Sequence, residues 1–552
     1  MLVLGVSGGL SHDPAAALVL DGVLVAAAEE ERFIRQKHAR FAPPVNAMLY
    51  CLAEAGVRIE DVDYIAAGWD PGLAPDSIHM REFLNSIVHH EYFRDCRLPE
   101  VVPVDHHVAH AYASWIGSGF ADAAVLVADG RGETKSTSIY RARGDSLELT
   151  GSFGVRDSLG YFYGSVTRHL GFGRGSEGKA MGLAAYGRPL FDFPIRLDQD
   201  GYRIDLEVPE VPWDQYGKEL TRAWADWLGR EIGSGPGVRM GYSALRGRAG
   251  SSLGDEVLKY ADVAASAQAA LERTMAHLSR LALSRAGSRN LVLGGGVALN
   301  CSCNGKLAAL PEVDQMYVFP GAGDSGSAVG AAFKVSMDAG SPRPGPVTHA
   351  YFGPSFSSEQ IGQALSATGV TARRLADPAE TAAELVLAGK TLGWFQGAAE
   401  FGPRALGHRS IIADPHDAAA LERVNRIKGR ELWRPLAPSA LPETAARMLG
   451  TDKGSRFMLR AFEVREQMRD VVPAVVHVDA TTRAQVVDAA TNPEYAALLA
   501  HVGEATGDAV VLNTSFNDES EPIVQTPRDA LRTFHSTGLD ALVMGDWVVL
   551  KH

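Results

Sequence analysis

Residues 2–28 read LVLGVSGGLSHDPAAALVLDGVLVAAA, and their pattern decides the fold. Three short apolar runs, LVLGV, AALVL and VLVAAA, predict three strands. A Gly-rich polar loop separates the first two, and Asp21-Gly22 separates the last two. Asp-Gly between such runs is a hairpin signal, because the turn that matches strand twist needs positive φ at both central positions. The same plan returns about a hundred residues on. There AAVLVAD (123–129) runs into Gly130-Arg131-Gly132, followed by TSIYRA (137–142), a turn at Gly144-Asp145, and LELTGSF (147–153). Strand, glycine loop and hairpin, written twice, suggest an α/β fold with a duplicated N-terminal domain pair, which resembles the plan of the actin-like ATPase (ASKHA) superfamily. In that plan nucleotide lies in the cleft between the halves. An ordinary mixed α/β domain stays open on this pattern alone.

Further along, alanines and leucines recur at helical spacing in YADVAASAQAALERTMAHLSRLALSRA, which predicts a helix around 256–286. LVLGGGVALNCSCNGKL (291–307) follows as a buried strand, a triple glycine at 294–296 and a helix start. Glycine turns at strand ends let backbone N–H groups come close to a nucleotide. MDAGSPRPGPVTHAYFGPSF (337–356) is rich in Pro and Gly and has no helical period, so it reads as a linker. Beyond it come a helical pattern at 358–367 and a closing strand pair, ALVMG and WVVLK. The expected organisation is a first domain over 1–340, in halves of about 1–120 and 121–340. A linker over 341–356 and a smaller α/β domain over 357–552 complete it.

Composition narrows the function classes. With 46% hydrophobic and 22% charged residues, the chain has the balance of a globular protein rather than a disordered or fibrous one. A formal net charge of −13 repels a phosphate backbone, so no nucleic-acid partner is expected. Cys51, Cys96, Cys301 and Cys303 are too few for a disulfide framework, and the one-residue gap of the last pair is not zinc spacing. The start lacks a basic segment before its apolar run, and AAALVLDGVLVAAA is broken by Asp21. Neither secretion nor a membrane span is therefore expected, and the expected location is the cytoplasm.

The sharpest chemical cluster is DHHVAHA (105–111). His106 and His110 are four apart, so on a helix they share a face and can share one cation. The spacing alone also fits a helix with surface histidines. Asp129, ending a strand, and Asp324, in PGAGDSGSAVGAA between a strand and a helix, favour the metal reading. Imidazole suits Zn and Fe alike, so spacing does not choose the metal. His107 points elsewhere and reads as structural. His12 lies in the first interstrand loop, where an imidazole could take a proton at neutral pH or simply shape a turn. Glu177-Gly178-Lys179, in GRGSEGKAMGLAAYG, reads as a phosphate cradle or a solvated loop, and it is not a Walker sequence. Arg404 and Arg409, then Arg426, Lys428, Arg430 and Arg434, concentrate positive charge in an acidic chain. Arg423, Arg426 and Arg430 also fit one charged helix face. Arg404, Lys428 and Arg434 are flanked by Gly, Pro and apolar residues, which favours a walled pocket that would take phosphate oxygens.

Taken in order, HDPAAALV (12–19), EEERF (29–33), Lys37-His38, DHHVAHA, EGKAMGLA (177–184), LGGGVALN (293–300), FGPRALGHRS (401–410), WRPLAP (433–438) and VLNTSFN (511–517) resemble the NodU/CmcH carbamoyltransferases. The likeness runs through essentially the whole chain. That family carbamoylates nodulation factors, cephamycins, aminoglycosides and polyketide antibiotics. The resemblance implies an N-terminal domain like the tRNA threonylcarbamoyladenosine transferase and a YrdC-like C-terminal domain. It implies that carbamoyl phosphate and ATP, with Mg, form carbamoyladenylate in the C-terminal domain at Arg404, Lys428, Arg434, Arg483, Asn513 and Ser515. Arg404 and Lys428 would take a catalytic part. Transfer to a small-molecule hydroxyl, of an antibiotic or other secondary metabolite, would follow in the N-terminal domain with His12 as base. The implied metal ligands are His106, His110, Asp129 and Asp324, with Fe(II) ahead of Zn, Mn or Mg. The implied nucleotide contacts there are Lys37, Gly130, Glu177, Gly178, Gly182, Gly295, Gly296 and Asn300. Arg131 stands where many relatives carry a smaller or apolar residue. Segment 201–255, with Trp213, Trp224 and Trp227, is the expected acceptor wall. The rivals are a tRNA-modifying enzyme, which the charge disfavours, and an actin-like ATPase switch, which would not need the C-terminal basic pocket. A metalloprotease would need the glutamate of HExxH. The expected assembly is a monomer or a homodimer.

Overall fold

Strand β1 (Leu2–Val6) is buried along its whole length. It pairs antiparallel with β2 (Ala15–Leu20), which pairs antiparallel with β3 (Val23–Glu29). At the β2–β3 turn Asp21 has φ 48° and Gly22 φ 82°, the left-handed pair that an Asp-Gly hairpin supplies. On its other edge β1 runs parallel to β4 (Tyr64–Ala67), and β4 to β5 (Glu100–Pro103). The order is therefore β3-β2-β1-β4-β5. The computed structural model describes residues 1–10, 12–235, 258–451 and 455–551.

The second sheet repeats this plan. β6 (Asp122–Ala128), β7 (Lys135–Arg143) and β8 (Ser146–Gly154) form an antiparallel meander. A separate hairpin, β9 (Ile195–Asp198) and β10 (Gly201–Ile204), follows. β11 (Asn290–Gly294) then runs parallel to β6, and β12 (Gln315–Val318) parallel to β11. Read from the meander edge, the order β8-β7-β6-β11-β12 matches β3-β2-β1-β4-β5 strand for strand. This is the duplicated actin-like plan.

The halves exchange helices. Helix His106–Ser118 follows the first sheet yet packs on β6, β7, β11 and β12, whereas helix Gly326–Asp338 follows the second sheet and packs on β1, β2 and β4. Small residues let these elements approach. A Cβ on Gly330 would lie 1.7 Å from the Ala109 carbonyl oxygen, and one on Gly5 would lie 1.9 Å from that of Ala328.

Several local expectations change. The long helix is Ala261–Ala286, and the start expected near 256 falls partly outside the described residues. Helix Gly326–Asp338 takes up Met337 and Asp338, the first two residues of the Pro/Gly-rich stretch. Glu177 and Gly178 open the helix Glu177–Ala184 rather than lying in the loop before it. Trp224 is fully buried against Phe162, Phe193 and Trp227, so it packs the core instead of walling an acceptor pocket. Only 201–235 of that segment is described.

By their contacts, the described residues up to Thr348 form one unit and those from His349 a second, smaller one. The second unit is α/β, with an eight-stranded mixed sheet. Its strands are β13 (Arg373–Arg374), β14 (Leu392–Phe395), β15 (Arg409–Ala413), β16 (Ala437–Ala440), β19 (Gln485–Val486), β20 (Val510–Ser515), β21 (Ala541–Met544) and β22 (Trp547–Leu550), in the order β13-β22-β21-β14-β15-β20-β16-β19. A two-stranded pair, β17 (Phe462–Glu463) and β18 (Thr481–Thr482), stands apart from it. Gly353 donates to Ala399 and Phe401 donates to Ala350, so residues 350–353 are built into this unit. Among the described residues no helix is long and apolar enough to cross a membrane.

Candidate functional site

The histidine helix starts where its sequence provides a cap. Asp105 accepts from the Val108 amide at 3.0 Å and is paired with Lys135 at 2.6 Å. Both carboxylate oxygens of Glu133 take the His106 amide at 3.2 Å, and one also takes the Asp70 amide at 2.7 Å. A buried carboxylate on first-turn amides suits the positive end of a helix. The His106 Nδ1 lies 2.9 Å from the Gly68 carbonyl oxygen, so Nδ1–H donates and Nε2 faces the cluster.

That Nε2 stands 3.0 Å from His110 Nε2, 3.5 Å from Asp129 Oδ2 and 3.6 Å from Asp324 Oδ1. Each of the four residues is no more than 5% exposed, and their donor atoms lie within 4.8 Å of one another. Burial would depress the His106 imidazolium, but Asp129 and Asp324 outweigh it and hold its pKa well above the ordinary value. Burial, aided by the charge on His106, pushes His110 down to about 4. Burial would raise Asp129, but the His106 hydrogen bond and the neighbouring imidazoles hold it below the usual carboxylate range. Two imidazole nitrogens and two carboxylates converge here, and once His106 gives up its proton they could hold one divalent cation. Imidazole nitrogens and carboxylate oxygens without thiolate suit Fe(II), Mn or Zn. His107 turns away to Ser138 Oγ at 2.9 Å and stays outside the cluster.

His12 stands beside this cluster. Its Nδ1 is 3.0 Å from Asp13 Oδ2 and 3.6 Å from Asp324 Oδ2, with the side chain 41% exposed. Burial opposes its charged form, but Asp324 and Asp13 prevail and raise its pKa to about 9. A cation held by Asp129 and Asp324 would cancel part of that field and favour the neutral base. Gly296 donates its amide to Asp129 Oδ1 at 2.8 Å. Gly295, at φ 83°, lies so close to β6 that a Cβ would sit 2.3 Å from the Ala128 carbonyl oxygen. Lys37 lies in the turn Lys37–Ala39. The loop leading to Glu177 meets that turn, since a Cβ on Gly175 would be 2.4 Å from His38 Nε2. Gly130 and Gly178 leave open space on their Cβ side, and Gly182 lies in the helix that Glu177 begins. Asn300 accepts the Cys303 amide, capping the helix Cys301–Ala308, and pairs with Gln268 in both directions.

The second unit gathers the basic residues. Lys428 is 3% exposed. Its Nζ donates to the Ser515 carbonyl, to Ser515 Oγ at 3.3 Å, and to the Asn517 carbonyl and Oδ1 at 2.9 and 3.0 Å. Arg434 pairs with Glu519 at 3.0 Å. Burial first, then the nearby positive charge of Arg434, pulls Arg430 well below the usual guanidinium value, and Arg483 adds to that field. Asn513 Nδ2 donates to Ala405 O at 3.2 Å and to Ser439 Oγ at 2.8 Å, tying the Arg404 loop to β20. Two expectations change here. Arg430 lies beyond the helix Ala419–Ile427 and bonds to Asn425, so it does not share a helix face with Arg423 and Arg426. Arg409 is fully buried, stacks on Phe395 at 3.7 Å and donates to the carbonyls of Gln396, Gly397 and Pro354, which makes it a brace rather than a ligand-binding cation.

Two buried carboxylates escaped the sequence reading. Glu133 fixes the start of the histidine helix, and Glu400 Oε1 takes the amides of Leu406, His408 and Arg409 at 2.7, 2.9 and 3.2 Å, shaping the loop that carries Arg404. The only local signal was an acidic residue next to a glycine loop in each case.

The family model described as "Carbamoyltransferase N-terminus" matches residues 2–74 and 77–333, and "Carbamoyltransferase C-terminus" matches 383–551. "Nodulation protein NolNO" of Sinorhizobium fredii is 36% identical, with 100% of this chain and 83% of that protein covered. "Nodulation protein NolO" of Bradyrhizobium diazoefficiens is 39% identical over 81% of this chain and 79% of its own. "Nodulation protein U" of the same organism is 27% identical over 92% and 91%. Among solved structures, HypF of T. kodakarensis aligns with a TM-score of 0.36 at 15% identity, over 61% of this chain and 47% of that one.

Proposed function

The chain belongs to the carbamoyltransferase family, and on that premise we propose that it passes a carbamoyl group from carbamoyl phosphate, through an ATP-derived adenylate, to a hydroxyl of a small secondary metabolite. The carrying observation is the buried His106–His110–Asp129–Asp324 cluster with His12 beside it, 3.6 Å from Asp324. An acid–base side chain next to a cation site is what delivery of an acyl group to an alcohol requires.

Activation falls to the second unit, read as YrdC-like. Atom balance needs one water. Carbamoyl phosphate loses inorganic phosphate to water, a carbamate oxygen then attacks the α-phosphorus of ATP, and pyrophosphate leaves. Lys428, Arg404, Arg434 and Arg483 supply positive charge for the phosphate oxygens, with Ser515 and Asn513 placing the loops around them. In the first unit Lys37, Gly130, Glu177, Gly178, Gly182, Gly295 and Gly296 line the adenylate, and the open sides of Gly130 and Gly178 leave it room. The acceptor oxygen attacks the carbamoyl carbon, its proton goes to His12, and AMP leaves as the carbon–oxygen bond to phosphate breaks. His106, His110, Asp129 and Asp324 would hold a divalent cation, Fe(II) first and Zn, Mn or Mg as alternatives, which would supply positive charge near the departing phosphate.

Lys428→Ala tests the activation site. It should abolish pyrophosphate release that depends on carbamoyl phosphate, and unchanged release would remove the second unit from the reaction. Incubation with ATP, labelled carbamoyl phosphate and a metabolite extract, read by mass, should yield one labelled acceptor.

A further inference from the structure

Asp13 sits between two histidines. One oxygen, Oδ2, is 3.0 Å from His12 Nδ1, and the other, Oδ1, is 2.8 Å from His38 Nδ1. The backbones are tied as well, since the Asp13 amide donates to the His38 carbonyl at 3.0 Å. His38 is held in turn, because its amide donates to Glu31 Oε2 at 2.7 Å. Gly175 walls its ring, leaving no room for a Cβ beside Nε2. Ser7 Oγ donates to the Asp13 carbonyl at 3.2 Å and completes the clamp.

The backbone at both ends of this chain of contacts is unusual. Eight described non-glycine residues have positive φ, and five of them are Asp13, Arg35, His38, Ala39 and Phe41. Asp13 has φ 50° and His38 φ 64°. Side chains oppose that conformation, so it persists where surrounding contacts over-determine it.

We propose that Asp13 and His38 are positioning residues for His12, forming a His12–Asp13–His38–Glu31 relay that fixes the base. This rests on His12 being the base. With His38 Nδ1–H donating to one oxygen, Asp13 presents the other to His12 Nδ1–H. The His12 ring then keeps its free lone pair on Nε2, the nitrogen remote from Asp13, ready for the acceptor proton. The design follows the general rule that a base is oriented by a third group. The EEERF and Lys37-His38 motifs gain a purpose through Glu31 and His38, neither of which needs to touch substrate.

The test is a mutant cycle on the transfer step, measured in the full chain with carbamoyladenylate formation followed separately as pyrophosphate release. His38→Gln and Asp13→Asn should each lower kcat for transfer about 10²-fold, with acceptor KM and pyrophosphate release unchanged. His38→Asn, whose amide can replace Nδ1–H, should recover part of the loss. In the His12→Asn background, His38→Gln should cost nothing further, because a residue that acts only through His12 has nothing left to position. Ring ¹⁵N shifts should report an Nδ1–H tautomer at His12 that is lost in Asp13→Asn. Equal, additive losses in the two backgrounds would make His38 merely structural and overturn the relay. A His12→Asn enzyme with normal transfer would instead overturn His12 as base. Asp13, Glu31 and His38 also place ligand atoms within 4.8 Å of one another, so two divalent ions per chain, falling to one in His38→Gln, would mean a second cation site and overturn the relay too.

Discussion

His106 shows how much of the chemistry is set at the scale of single residues. Asp129 and Asp324 hold its imidazolium pKa well above the ordinary value, so a metal bound there would have to displace a proton. The sign follows: below the raised folded-state pKa protons compete with metal, and affinity rises with pH. Below that raised pKa the metal dissociation constant should fall about tenfold per pH unit, in keeping with the proton release that accompanies metal binding. A pH-independent constant in calorimetric titration would contradict the protonated cluster. Glu400 makes a parallel case in the second unit. Glu400→Ala leaves the amides of Leu406, His408 and Arg409 without the carboxylate they now share. The loss should be about 3 kcal/mol of stability, read by denaturant unfolding, together with slower pyrophosphate release as Arg404 loses its support. The part played by Glu400 was not legible from the residues alone. Asp129 announced itself at a strand end and Asp324 in a loop between strand and helix, whereas Glu133 and Glu400 became visible only with their amide partners. Arg404 and Arg409 share one motif, and nothing in that motif says which guanidinium is buried on Phe395.

At the scale of elements, the strands were readable because their signals are local. LVLGV, AALVL and VLVAAA alternate with turn residues, and Asp21-Gly22 adopts the two positive φ values that its residue types favour. The helix exchange was not readable. It joins Ala109 to Gly330, residues more than two hundred positions apart, through a contact that depends on the absence of a side chain. Gly330→Ala should push the two helices apart and cost about 1–3 kcal/mol. Because His106 and His110 ride on one helix and Asp324 immediately precedes the other, metal affinity should fall along with thermal stability. A variant with lowered Tm and unchanged metal content would show that the crossing does not set the cluster. Local pattern also misplaced two features. Glu177 proved to be the first residue of a helix, because Ser176 ends the loop one residue earlier, and Arg430 left its expected helix face because the chain turns at Gly429, where φ is 63°.

For the whole molecule, charge and cation binding are the measurable quantities. At −13 the chain should not retain tRNA on a filter at any moderate salt, and tight, salt-sensitive retention would revive a nucleic-acid substrate. A divalent cation that binds only the folded first unit should stabilise it by about 2.7 kcal/mol at a hundred times its dissociation constant, seen as a Tm that climbs with metal concentration. The sequence by itself determined the fold class, the duplication of strand and hairpin, and membership of a carbamoyl-transferring family, because periodicity, turn chemistry and motif order are written within a few residues of one another. Only the tertiary structure decided which donors converge and which polar residues are scaffold. His106, Asp129 and Asp324 meet through helices traded between two sheets, while Arg409 and Trp224 are spent on packing. The reason is that convergence depends on long-range close approach, which no local spacing encodes.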